Sequence, residues 1–172
     1  MSNNLQEKQH SNLKTEITSR ERDFIEKVMA KADMSEVYDA RDLTGIVFRT
    51  MRDLMTTKAA KEVAEELHTP ISSTDERLAQ EEIADLWKDS NPIVRFLSEV
   101  RPILKFDDDT FFFRIAMEGG LPQTTESSPK ITPPETIVSA VFSATKEELS
   151  ATRIAEIANF MPGKVRTLWE NA

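Results

Sequence analysis

The stretch Val141–Met161, VFSATKEELSATRIAEIANFM, repeats a pattern already written at Val47–Leu67, VFRTMRDLMTTKAAKEVAEEL. A shift of 94 (141 − 47) puts Val47-Phe48 on Val141-Phe142. The same shift puts Ala60, Glu62, Val63, Ala64 and Leu67 on Ile154, Glu156, Ile157, Ala158 and Met161, without a gap. A shift of 87 (111 − 24) puts Phe24, Ile25, Lys27, Val28 and Met34 on Phe111, Phe112, Arg114, Ile115 and Leu121. A shift of 82 (169 − 87) aligns IADLWKD at 83–89 with VRTLWEN at 165–171, tryptophan on tryptophan. Self-similarity of this kind decides an architecture before any single element does.

The repeated unit reads as helix. In Asp39–Met55 the residues Leu43, Ile46, Val47, Thr50, Met51 and Leu54 follow the i, i+3, i+4, i+7 spacing of one helical face. The first helix is expected from Thr18, where Thr18-Ser19-Arg20-Glu21 fits a capping box. Ala60–Leu67 carries a third helix, and Ser73-x-x-Glu76 caps another that holds Ile83, Leu86 and Trp87. Ser90-Asn91-Pro92 opens a connector helix. Thr132-Pro133-Pro134-Glu135 predicts a start with Thr132 as the cap, and a long helix running to about Leu149. Helices at Ser150–Met161 and up to Trp169 close the chain. Phe111–Phe113 fits the helical register of the repeat, although TFFFRI also has strand propensity.

The expected fold is therefore all-α: a helical bundle of two tandem copies of a three-to-four-helix unit, related by a pseudo-twofold axis. Residues 1–17 read as a flexible polar tail, and 18–171 as a single helical domain. Copy one spans about 18–88, the connector about 89–106 and copy two about 107–171. Each unit has a large apolar face and short helices, so each copy must cover the other.

Composition narrows the function. The chain has 172 residues, and a chain of this length buries roughly 70% of the surface its unfolded form exposes. Its formal net charge of −8 disfavours binding to phosphate backbones. Mean hydropathy is −0.44 and no apolar run reaches the ~20 residues of a membrane span. Cysteine is absent, which removes disulfides, thiol nucleophiles and thiolate metal sites and suits a reducing cytoplasm.

No motif carries catalytic chemistry. The two histidines, His10 and His68, stand far apart and in no metal-binding spacing. Asp107-Asp108-Asp109 reads as a helix cap with acids near the positive helix end, rather than as a cation site. Gly119-Gly120 reads as a helix C-cap. Arg41, Arg49 and Arg52 share a helix with Asp42 and Asp53 and read as a solvated face of mixed charge.

The Phe24-x-x-x-Val28 pattern, DARDLTGIVFRTMRDLM, AAKEVAEEL and above all IAEIANFMPGKVRTLW resemble the bacterial domain-of-unknown-function family 2267 (DUF2267). The resemblance covers about 18–171 and implies an all-α fold with no assigned activity.

The expected function is that of a non-enzymatic, cytoplasmic protein-interaction or regulatory module, needing no cofactor or metal. Its partner is another protein or a second copy of the chain, with no nucleic acid and no membrane insertion. The alternative is a carrier of a small apolar ligand between the two halves. Contact residues are expected where the copies differ: Phe113, which replaces Glu26, then Arg95 and Phe96 in the connector, and Pro122 and Lys130 in the inserted loop.

Overall fold

The structure is a computed structural model, and it describes residues 19–67, 83–84, 86–88, 102–121 and 132–172. Seven helices and no strand occur among the described residues. They are α1 Ser19–Ala32, α2 Val37–Asp53, α3 Thr57–Leu67, α4 Asp108–Glu118, α5 Pro134–Lys146, α6 Ala151–Ala158 and α7 Gly163–Asn171. Residues 83, 84, 86 and 87 are also helical. Phe111–Phe113 lies within α4, so helical register prevails over strand propensity there.

The apolar stripes become the core. Phe24, Ile25, Val28 and Ala32 of α1 are buried, as are Leu43, Val47, Phe48 and Met51 of α2. Ile137, Val138, Val141, Phe142 and Ala144 of α5 face them from the other half of the chain. The most extensive helix pairing is α1 on α5. Helix α2 packs on α1 and α4, while α7 packs on α5, α4 and α6. The first described helix is thus held by an element more than 100 residues away.

Two aromatic rows run through the core. Phe24 lies 6.1 Å from Phe48, and Phe48 lies 5.1 Å from Trp87. Phe111 lies 6.4 Å from Phe142, and Phe142 lies 5.0 Å from Trp169. Both tryptophans meet their phenylalanine edge-on, the arrangement that ring quadrupoles favour. The Trp87 indole N–H donates to the Ala60 carbonyl at 2.9 Å, and the Trp169 indole N–H donates to the Ile154 carbonyl at 2.9 Å. Each buried polar atom is therefore satisfied.

Helix ends follow local chemistry. Asp107 caps α4, its carboxylate accepting the Thr110 N–H at 2.8 Å. Asp108 accepts the Asp109 N–H and, with its other oxygen, the Lys164 N–H at the start of α7, both at 2.9 Å. A Cβ on Gly163 would fall 2.6 Å from that second oxygen, so this position needs glycine for the approach. Helix α4 ends at Gly119-Gly120, with Gly120 at φ 60° and the Leu121 N–H bonded to the Ala116 carbonyl at 2.9 Å. Helix α1 ends in the same way on a non-glycine: Asp33 has φ 53°, and the Met34 N–H bonds to the Met29 carbonyl at 3.0 Å.

Some boundaries differ from the sequence expectation. The second helix runs Val37–Asp53 rather than Asp39–Met55. Thr132 is not the cap of α5: Pro133 is, at φ −61° and ψ 149°, and Pro134 is the first helical residue. A residue before proline is driven to extended backbone, so the second proline fixes the start one position later. The displaced Thr132 hydroxyl instead donates to the Ala32 carbonyl at 3.4 Å. Helix α5 stops at Lys146 rather than Leu149, and α6 stops at Ala158 rather than Met161. Glu21, expected in a capping box, is buried and pairs with Arg41 of α2. Thr18, the Ser73-x-x-Glu76 cap and the connector start at Ser90 lie outside the described residues.

A candidate interaction surface and an arginine centre

Helix α4 turns Phe111, Phe112, Ile115 and Ala116 inward. Its opposite face carries Phe113, 59% exposed, and Met117, 57% exposed. Residues four apart lie one above the other on a helix, so these two side chains form a single apolar stripe. Between stripe and core, Arg114 is half-buried. Its guanidinium lies 5.0 Å from the Phe106 ring centre, 2.7 Å from the Asp53 carboxylate and 3.7 Å from Glu118. Glu118 also reaches Arg49 of α2 at 3.2 Å. Polar groups beside the stripe are thus tied down while its two large apolar side chains meet solvent.

Of the residues expected at a contact surface, Phe113 is exposed, whereas its neighbours Phe111 and Phe112 are core. Arg95, Phe96, Pro122 and Lys130 lie outside the described residues. The sequence reading missed Met117, although its spacing of four from Phe113 was a usable signal. Ile103 and Tyr38 are further exposed apolar side chains.

A second cluster was not foreseen. Arg153 of α6 reaches Glu62 at 2.7 Å and Glu66 at 3.2 Å, both on α3, and also pairs with Glu156 of its own helix. Glu66 in addition accepts the Ser150 N–H at 2.8 Å and the Ser150 hydroxyl at 2.9 Å. Partial burial pushes the Glu66 carboxyl up, but the Ser150 N–H, the Ser150 hydroxyl and Arg153 together hold it below the usual carboxylate range. Partial burial opposes the charge on Arg153, and its bonds to Glu62 and Glu66 outweigh that, holding the guanidinium more firmly protonated.

The other acidic cluster has a structural use. The side chain and N–H of Thr110 hold the Asp107 carboxyl below its usual range, as a capping role requires. Among the described residues, no group of three or more His, Cys, Asp or Glu is arranged to hold a metal ion. No described helix is long and apolar enough to cross a membrane.

These features define an all-α protein with polar ties between its halves and an apolar stripe on one helix. The model of the family described as "Uncharacterized conserved protein (DUF2267)" matches residues 21–168, and the chain belongs to that family. No curated protein matches the chain.

Proposed function

We propose that the chain is a non-enzymatic protein-interaction module of the cytoplasm, a single domain of two copies of one helical unit that contacts its partner through the Phe113–Met117 stripe. The observation that carries this reading is the exposure of both side chains on one face of α4. In the register of the repeat (a shift of 87), Phe113 and Met117 stand where copy one has Glu26 and Ala30. Both of those are exposed as well. A position that meets water carries a charge in one copy and a benzyl ring in the other, and packing within the chain does not call for that ring.

The duplication underlying this argument is supported by matched pairs. In the neighbouring register (a shift of 94) Ala60 corresponds to Ile154, and these carbonyls accept from Trp87 and Trp169. Lys27 pairs with Glu147 at 2.6 Å, and their counterparts Arg114 and Asp53 pair at 2.7 Å. Lys31 donates to Ser143 at 2.7 Å, and their counterparts Glu118 and Arg49 pair at 3.2 Å. Asp33 and Gly120, the two left-handed helix ends, also correspond.

The test is a double variant, Phe113→Glu with Met117→Ala, which writes the copy-one residues onto copy two. Both changes fall at exposed positions, so folding is retained. Sedimentation and pull-down from native lysate are compared with wild type. Loss of an oligomer or of a specific co-purifying protein is the expected result. Identical sedimentation and identical captured proteins for both would remove this stripe as the site.

A further inference from the structure

Arg153 stands where α3 meets α6. Two ion pairs join α3 to α6, and both end on Arg153, through Glu62 and Glu66. With Glu156, three carboxylates surround one guanidinium whose side chain is 16% exposed. Without that cation the three carboxylates would face one another at short range, and like charges so placed repel. Lys58 compensates little, being 3.8 Å from Glu62 and almost fully exposed. Nearby, Glu147 is engaged with Lys27, and Lys61 and Glu148 have interactions of their own. Glu66 does double service: it pairs with Arg153 and caps the first turn of α6 through Ser150. The contacts of α3 with α6 on this face are therefore polar, while Ala59, Val63, Ala64 and Leu67 turn the other face of α3 into the core, and α1 and α5 are joined by fully buried apolar side chains.

We propose that Arg153 is an electrostatic latch that fastens α3 to α6, and that α3 loosens ahead of the remaining core when this cation is removed, screened or left with protonated partners. Local opening of this kind draws on the least apolar joints of a fold, while the apolar core opens only with the whole. The chain carries its own pair of reporters. The Trp87 indole N–H is bonded to Ala60 of α3, and the Trp169 indole N–H to Ile154 of α6.

The experiment is hydrogen exchange by NMR on the full chain, following the two indole N–H signals and the amides of α3 and α5. Three conditions are compared: wild type at low salt, wild type at about 1 M salt, where the screening length shrinks to about 3 Å, and Arg153→Met at low salt. Arg153→Lys keeps the charge and restores part of the effect. Protection of the α3 amides and of the Trp87 indole should fall about tenfold in the second and third conditions, with α5 and Trp169 unchanged. A parallel fall of α3 and α5 would mean simple loss of global stability and would overturn the latch. So would α3 protection that withstands both salt and Arg153→Met. If Arg153→Met does not fold, the salt series on the wild-type chain decides by the same comparison.

Discussion

Arg114 holds the carboxylate of Asp53 at 2.7 Å, joining α4 to the C-terminal end of α2. A second pair between helices, Lys27 of α1 with Glu147 at 2.6 Å, is far more open to solvent. Asp53 is 6% exposed as a side chain, whereas the Lys27 and Glu147 side chains are 43% and 46% exposed. Geometry alike and burial unlike should give unlike energies. Arg114→Met strips a cation from a buried carboxylate and is expected to cost about 2 kcal/mol, between the surface and the fully buried limits. Lys27→Met is expected to cost under ~1 kcal/mol. Urea denaturation of the two variants measures the difference. Equal costs would show that Asp53 is well served without Arg114.

Asp33 at the end of α1 occupies the left-handed region at φ 53°, and Gly120 at the end of α4 does so at φ 60°. Side chains disfavour this region, and aspartate tolerates it better than most. Asp33→Gly is expected to stabilise the protein by about 0.5–1 kcal/mol. Gly120→Val should destabilise it by more than that. Thermal melts of both variants check the signs, and a lower melting temperature for Asp33→Gly would contradict the argument.

Val47 and Val141 are both fully buried, on α2 and α5 respectively. Replacing either with aspartate puts an unpaired carboxylate among apolar side chains and should cost several kcal/mol, enough to unfold much of the population. The carboxylate of a variant that still folds should titrate well above the normal range. An unchanged melting temperature in either case would show that the stripe can open to water there.

The pH dependence has two edges. The side-chain bond to Lys27 holds the Glu147 carboxyl below its usual value, and Ser150 and Arg153 outweigh burial in doing the same for Glu66. A carboxyl lowered on folding gives stability that is present above its unfolded value of 4.5 and disappears as pH drops through the folded value. Lys27 is shifted the other way, its bond to Glu147 raising it above 10.5. Its contribution is complete below 10.5 and is lost as pH rises beyond the folded value. Stability should therefore be flat from about pH 5 to 10 and fall outside that range. Glu147→Gln should soften both edges, and a titration of melting temperature against pH reads this directly.

Much of this arrangement was legible in the sequence for a definite reason. A buried helical face repeats every three to four residues whatever it packs against. Hence Phe24 and Trp87 could be placed on apolar stripes and matched with Phe111 and Trp169, whereas Phe48 and Phe142 were legible only as a repeated pair. For Phe113 the sequence offered both readings, a wide core and an exposed ring in the place of Glu26, and the structure has the ring exposed. The start of α5 was misread because two consecutive prolines compete for the first helical position, and the restriction on the residue before the second one decides. Arg153 could not be picked out. Its partners Glu62 and Glu66 lie about 90 residues upstream, and periodicity states which face a residue occupies but not which faces meet.

The contrast between α1 and α4 bears on how many neighbours this molecule can have. A subunit with one adhesive patch forms at most a closed pair, since the patch is used up in the first contact. A subunit with two such patches on different faces can pass the contact on and grow without end. On the reading proposed above, in which Phe113 and Met117 form the adhesive patch, Glu26 and Ala30 leave the matching face of α1 blank. On that reading, writing Phe and Met at those two places gives a building block for fibres, and electron microscopy of that double substitution is the check.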